Sequence, residues 1–293
     1  MKDISTLPED IYDVLTNDKD LRHTDEEVGA EFSTRILNHY HRAVNYENKQ
    51  RKDKVLYASE IGKPCTRAVW YSHYRKEEAE PIGGAARYKF LFGDVIEEIT
   101  LELAEAAGHT VEGQQAMFEM PAPNGWTVRG RQDCTIDGVT VDVKSASRFA
   151  FNNYTQKGLN DATDKFGYRS QLKFYTDAAM MDGTVDTDEA YLLMVGKELG
   201  HISLVPQDPT FTSGKLSSLI DEKVEALDNT ETPPDRSFGA VADGKSGNMK
   251  LGTECGYCAF KNTCWPELRT YIYSNGPRFL THVAKEPNVP EKT

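Results

Sequence analysis

The stretch Gly130-Arg131-Gln132-Asp133-Cys134-Thr135-Ile136-Asp137-Gly138-Val139-Thr140-Val141-Asp142-Val143-Lys144 decides the fold. Asp137-Gly138 is a two-residue hairpin signal, because a type I′ turn needs positive φ at both central positions and Asp and Gly tolerate it. The flanking residues then run as antiparallel strands. Side chains alternate faces along a strand, so Val139, Val141 and Val143 point together into a core and Thr140, Asp142 and Lys144 point the other way. The hairpin returns Asp133 toward Asp142. Two carboxylates and an ammonium group on one sheet face suit phosphodiester hydrolysis. The carboxylates are hard oxygen ligands for Mg²⁺ or Mn²⁺, and the lysine positions water and neutralises phosphate. The plainer alternative is an exposed Asp142–Lys144 salt bridge on a half-buried strand.

Working outward, the spacing predicts a helix over 93–107, closed by Gly108. Its apolar stripe is Ile96, Ile99, Leu103 and Ala107, with Asp94, Glu98, Glu102 and Glu105 on the solvated side. Glu97 lies at the border and is the candidate third carboxylate, with Glu98 in reserve. Strands are expected at 110–119, 126–136 and 139–144, a helix at 165–181, a hairpin of 189–195 with 201–205, and an amphipathic helix at 211–228. On the helix at 165–181, Gln171 and Tyr175 share a face at i, i+4 and can orient water or contact phosphate and sugar. Arg169 and Lys173 form a second such pair that could hold phosphates. The order of helix, strands, helix, strands, helix indicates an α/β core with a mixed sheet. Residues 1–56 read as an acidic extension (1–31, loosely attached) plus a helix over 32–50 on which His39 and His41 are solvated. Residues 57–270 read as the core, 232–252 within it as a loop, and 271–293 as a C-terminal tail.

Cys255-Gly-Tyr-Cys258 followed by Cys264 gives C-x2-C-x5-C, and Cys65 stands far upstream. Four thiolates can hold Zn²⁺ or a [4Fe–4S] cluster. Tyr257, Phe260 and Trp265 would shield such a group from water. Cys134, on the core side of its strand, is the fifth cysteine and reads as a packing residue. An odd number of cysteines argues against a disulfide framework.

The 293 residues carry a net charge of −12. It is unevenly distributed: −7 over 1–31, +6 over 32–90 and −11 over 91–293. A protein this acidic has no broad duplex-binding surface, so phosphate contacts should be few and single-stranded or frayed DNA ends are the expected substrate. Trp70, Tyr71 and Tyr74 in the basic segment could stack on bases. No apolar run approaches a membrane span and the first residues lack a secretory pattern, so a soluble, cytoplasmic protein is expected. P-loop, GxGxxG, GxSxG and HExxH patterns are missing, which leaves NTPase, Rossmann, α/β-hydrolase and zincin readings without support.

Taken in order, these pieces resemble the RecB-type PD-(D/E)XK nucleases with an iron–sulfur cluster, a group that includes the AddB nuclease domain and CRISPR-associated nucleases. The matching residues are Cys65, Gly93-Asp-Val-Ile-Glu97, Gly130-Arg-Gln-Asp133, Asp142-Val-Lys144, Gln171 to Tyr175, and Cys255, Cys258 and Cys264. Glu97 stands where the RecB-type pattern has His, as in many phage-encoded relatives. The resemblance implies a restriction-endonuclease-like core with a mixed central sheet flanked by helices. It implies two-metal hydrolysis of DNA at Glu97, Asp133, Asp142 and the Val143 carbonyl, Lys144 as the water-positioning residue, and a structural [4Fe–4S] cluster. The competing class is a catalytically silent DNA-binding or assembly module that keeps the fold and cluster.

Overall fold

The computed structural model describes residues 2–16, 26–45 and 51–292. The chain forms two compact units. The first comprises Met1–Lys63 with Ile82–Val224, and the second Pro64–Pro81 with Glu225–Thr293. The fold is mixed α/β, with mixed sheets flanked by helices.

At the centre of the first unit is β6 (Val139–Ala146). It pairs antiparallel with β5 (Cys134–Ile136) and parallel with β7 (Ala190–Gly196). β2 (Val111–Glu112) and β8 (His201–Pro206) complete a five-stranded mixed sheet in the order β2-β5-β6-β7-β8. The β5–β6 turn is as expected, with Asp137 at φ 50° and Gly138 at φ 78°. Val139, Val141 and Val143 pack against Leu193 of β7 and against Leu101 and Ala104 of α5 (Gly84–Ala106). Ile4 and, from α1 (Leu7–Thr16), Leu7 and Ile11 join the same core. Each such side chain contributes about 1.5–3 kcal/mol of transfer free energy when fully buried. Residues 4–11 are therefore part of the core rather than of a loosely attached extension; residues 17–25 of that expected extension lie outside the described residues. The opposite sheet face packs on α6 (Arg148–Lys157) and α7 (Tyr168–Asp182), through Phe151, Tyr154 and Leu172. With both faces covered, β6 is a central strand, not a half-exposed one.

The expected strand 126–136 divides into β4 (Thr127–Arg131) and β5. β4 belongs to a different sheet, parallel to β1 (Val55–Tyr57) and antiparallel to β3 (Met117–Pro121). Gln132 and Asp133 form the seam. Gly130, in β4, packs against Tyr175 and Phe174 of α7: a Cβ there would lie 2.6 Å from the Tyr175 ring and 2.7 Å from that of Phe174. Only glycine permits this approach. The helix expected at 32–50 is α2 (Glu26–Val44), and residues 46–50 lie outside the described residues.

The second unit holds α4 (Thr66–Tyr74), α9 (Thr253–Gly256) and α10 (Lys261–Cys264). The 232–252 stretch, expected as loop, contains β9 (Ala240–Ala242) and β10 (Met249–Leu251). Residues 271–293, expected as a tail, contribute to β11 (Arg269–Tyr273), β12 (Gly276–His282) and β13 (Glu291–Lys292). These form one antiparallel sheet in the order β13-β11-β12-β10-β9. Trp70 and Tyr71, expected to stack on bases, are buried. Trp70 donates through Nε1 to the Asn229 carbonyl at 2.5 Å, and Tyr74 through its hydroxyl to the Leu227 carbonyl at 2.6 Å. The part of α8 (Ser213–Asp228) that precedes Glu225 lies in the first unit, with Leu216, Ile220 and Val224 buried as expected.

Candidate active site and cysteine group

Asp142 and Lys144 point from β6 toward the α7 side of the sheet, where Asp142 is 2% exposed. Lys144 Nζ lies 2.5 Å from Asp142 Oδ2 and 4.0 Å from Asp133 Oδ2. Asp133 is held in turn by the Val143 N–H, which donates to its Oδ2 at 2.8 Å. The seam between the sheets thus turns the Asp133 carboxylate onto the edge of β6. Asp142 Oδ1 is buried and has no hydrogen-bond partner. An orphaned carboxylate oxygen in such a place is costly unless a donor or a cation completes it.

Glu97 joins from α5. The Gln115 side-chain amide donates to its Oε1 at 2.8 Å, and the Gln115 backbone N–H donates to the Asp133 carbonyl at 2.9 Å. The turn that carries Gln115, at φ 59°, therefore ties the two carboxylate-bearing segments together. Sequence reasoning missed Gln115, since an amide in a loop leaves no periodic trace. Burial and the nearby Asp133 carboxylate push Glu97 up to about 8, and burial and Asp142 push Asp133 up to about 7. Burial alone would lower Lys144, but Asp142 and Asp133 outweigh it and hold the ammonium above the ordinary lysine range. One cation against three carboxylates leaves the group short of positive charge.

Tyr175 is buried behind this set, its hydroxyl pushed up to about 12 by burial and by Asp142. The Gln171 amide donates to that hydroxyl at 3.2 Å. Tyr168 is a second missed residue: Lys144 Nζ sits 5.5 Å from its ring centroid. Its position at the first turn of α7, one turn before Gln171, was the available signal.

Four expectations around the site are overturned. Glu98, placed on the solvated face, is 5% exposed and is taken up by Arg35 and His39 of α2, at 2.8 and 2.7 Å. Ile99, placed in the apolar stripe, is exposed. Packing of α2 on α5 moves the buried face round to Leu101, Ala104 and Glu98, and His39 is buried with them. Arg169 and Lys173 are not phosphate contacts. Arg169 is engaged by Asp161, Asp164 and Asp208, and Lys173 by Asp177 and Asp188.

The four cysteines of the expected cluster all fall in the second unit, although Cys65 and Cys255 are far apart in sequence. Burial and the neighbouring Cys65, Cys258 and Cys264 push the Cys255 thiol up to about 11. Burial raises Cys258 as well; the Phe260 N–H, donating to its sulfur at 3.4 Å, works against that. Phe260 is buried and stacks on Tyr71, whereas Tyr257, expected as a shield, is 89% exposed. Cys134 is fully buried among Val141 and its neighbours. Among the described residues, no three His, Cys, Asp or Glu side chains stand in a geometry that closes on a metal ion. The donor chemistry fits nonetheless. Glu97, Asp133 and Asp142 are hard oxygens with one orphaned, suited to Mg²⁺ or Mn²⁺, and the four cysteines are soft sulfurs suited to zinc or iron–sulfur.

A family profile described as the PD-(D/E)XK nuclease superfamily matches residues 25–265. The chain belongs to the PD-(D/E)XK nuclease superfamily. Phosphodiester hydrolysis is accordingly its chemistry, and members of this superfamily generally use Mg²⁺ or Mn²⁺. Two solved structures are similar in shape. The crystal structure of SSO0001 is 12% identical at a TM-score of 0.46, over 82% of this chain and 96% of that one. A protein from Eubacterium rectale, provisionally named an exonuclease, is 14% identical at a TM-score of 0.37, over 73% and 90%. At these scores neither neighbour fixes the activity of this nuclease. A search of curated protein sequences finds no match. Among the described residues, no helix of this superfamily member is long and apolar enough to cross a membrane.

Proposed function

We propose that this chain is a metal-dependent deoxyribonuclease, an exonuclease acting on single-stranded or frayed DNA ends during recombination, repair or phage DNA processing in the cytoplasm. The observation that carries the reading is the buried Asp142 carboxylate, salt-bridged to Lys144 on one oxygen and unsatisfied on the other. Asp142, Asp133 and Glu97 would hold the divalent ion, with the Val143 carbonyl as a further oxygen ligand. When bound, that ion supplies a Lewis acid that polarises the phosphate and acidifies water. Lys144 positions the attacking water and neutralises charge building on the phosphate. Tyr175 and Gln171 close the site behind Asp142, and Tyr168 holds Lys144 from the side of its ring. In the second unit, Cys65, Cys255, Cys258 and Cys264 would hold a structural [4Fe–4S] cluster, with Zn²⁺ as the alternative for the same four sulfurs.

A time course on 5′- and 3′-labelled single and double strands with Mg²⁺ or Mn²⁺ tests the activity. Mononucleotides or short products should appear from an end, faster on single strands. Lys144→Ala should lower the rate about 10²–10⁴-fold while the protein stays folded, because the lysine serves the reaction and not the core. Equal or faster cutting of closed circular duplex would overturn the end preference. Wild-type protein that binds DNA without cutting it would mean a silent binding module.

A further inference from the structure

A cleft of about 390 Å³ opens beside the carboxylates, between α2, the first half of α5 and the end of β4. Glu97 and Asp133 form its inner wall, so it is continuous with the site just described. Its other charged side chains are arginines, apart from His39 and from Asp94, whose carboxylate lies 3.1 Å from the His39 ring. Arg42 and Arg87 come from the two helices, and Arg131 from the last position of β4. Arg42 donates to the His39 ring, and Arg87 is anchored through Nε to the Ile82 carbonyl at 3.2 Å. Arg131 is exposed, and its charge acts on Asp133. Arg131 and Asp133 are two residues apart, a span of about 7 Å at full extension. That step is comparable to the distance between successive phosphates of a drawn-out strand. Phe90 stands on the α5 wall of the same cleft with 59% of its surface exposed. An exposed ring beside arginines gives the cleft a flat apolar face next to phosphate-binding charge, the pairing that a stacked nucleotide needs.

We infer that this cleft seats the nucleotide next to the scissile phosphate of a single-stranded end, with Arg131 on its phosphate and Phe90 stacked on its base. The inference rests on the nuclease reading above and adds what that reading lacks, a device that distinguishes single from double strands. A base has a free face for an aromatic ring only when it is out of the duplex stack, so a stacking platform at the active-site mouth selects unpaired ends. A guanidinium at one fixed phosphate adds affinity that is independent of sequence and sensitive to salt. The protein's net charge of −12 makes such local contacts necessary, since no general attraction to DNA is available.

Binding of a fluorescein-labelled twelve-residue oligothymidylate to the full chain, followed by anisotropy in Ca²⁺, tests this without turnover. Phe90→Ala should weaken binding about 5- to 100-fold and Phe90→Tyr should restore it. Arg131→Ala should lower the slope of log K against log salt by about 0.7. In Mg²⁺ both alanine variants should raise KM more than they lower kcat. Binding of an end-capped duplex should be insensitive to Phe90→Ala. Met181→Ala, exposed near the far end of α7, is the surface control. Unchanged oligothymidylate affinity in both Phe90→Ala and Arg131→Ala, with wild-type protein still cutting single strands, would overturn the cleft assignment alone. Wild-type protein that neither binds nor cuts single strands would overturn the reading beneath it as well.

Discussion

The two units gather opposite kinds of donor by opposite means. In the first, three carboxylates come from segments within about fifty residues of one another, brought together by a hairpin, a seam between sheets and one helix. They are hard, buried and crowded; burial first, and the neighbouring carboxylates second, raise Asp133 to about 7 and Glu97 to about 8. In the second, four thiols are drawn from segments far apart in sequence, and burial is again the main reason that Cys255 and Cys258 keep their protons. The difference teaches that one chain can assemble hard donors from neighbouring segments and soft donors from distant ones. The carboxylate site carries Lys144, an orphaned oxygen and an open cleft. The proposed role of the cysteine group is structural.

The largest expected effect separates the units outright. Asp142→Ala should abolish cleavage yet leave iron or zinc content unchanged, because it touches only the first unit. Cys258→Ala should do the reverse: metal analysis should fall from about four irons per chain, or one zinc, toward none, with a lower melting temperature and cleavage retained per folded molecule. Full activity in Asp142→Ala would break the comparison. Cys134→Ala should leave metal content untouched.

Next in size is the contrast between adjacent residues of α5. Glu97→Ala should cost activity by orders of magnitude with little change in stability. Glu98→Ala should remove the buried acceptor that Arg35 and His39 share, leaving them Glu102 and Asp94, and destabilise the fold by about 1–3 kcal/mol while folded protein still cuts. Denaturation midpoints paired with rates decide the point, and the opposite pattern would move the metal ligand from Glu97 to Glu98.

The hairpin and its alternation were legible in the sequence because Asp137-Gly138 and three valines obey local rules that tertiary packing did not override. The candidate residues Asp133, Asp142 and Lys144 come together for the same reason. The face of α5 was not legible. Helical periodicity ranked Ile99 above Glu98, and only the arrival of Arg35 and His39 from α2 makes a buried glutamate tolerable. In the second unit β9, β10 and β13 are only two or three residues long and leave little pattern, whereas β11 and β12 pair through a tight turn at Ser274-Asn275-Gly276, a local signal that the expectation of a tail passed over. Gln115 and Tyr168 are defined by contacts and not by pattern.

The smallest effect concerns pH. Asp133 and Glu97 have folded values above their usual 3.8 and 4.5, so the folded, chelated protein binds more protons than the unfolded chain between about pH 4 and 8. Their contribution to stability is therefore fully present below pH 4 and lost as pH rises toward 8. In EDTA, the melting temperature should include a component that declines over that window. Added Mg²⁺ should offset it increasingly toward pH 8, where both carboxylates are free to bind. A melting temperature in EDTA that rises through this range in wild type, and equally in Asp133→Asn, would remove the carboxylate explanation.

The two-residue turn at Asp137-Gly138 has a consequence for how such a protein can change over generations. Substitution of Gly138 alters the comfort of the bend, and substitution of Asp137 also the buried contacts of its carboxylate with His109 and the Thr110 N–H, but neither moves the register. An inserted or deleted residue would slide β6 by one place against β5 and exchange its faces, sending Asp142 and Lys144 into the apolar layer and a valine toward the substrate. Length in this loop is thus under a stricter constraint than identity. The nine-residue interval from Asp133 to Asp142 behaves as a fixed mechanical dimension of the enzyme, open to repainting but not to re-cutting.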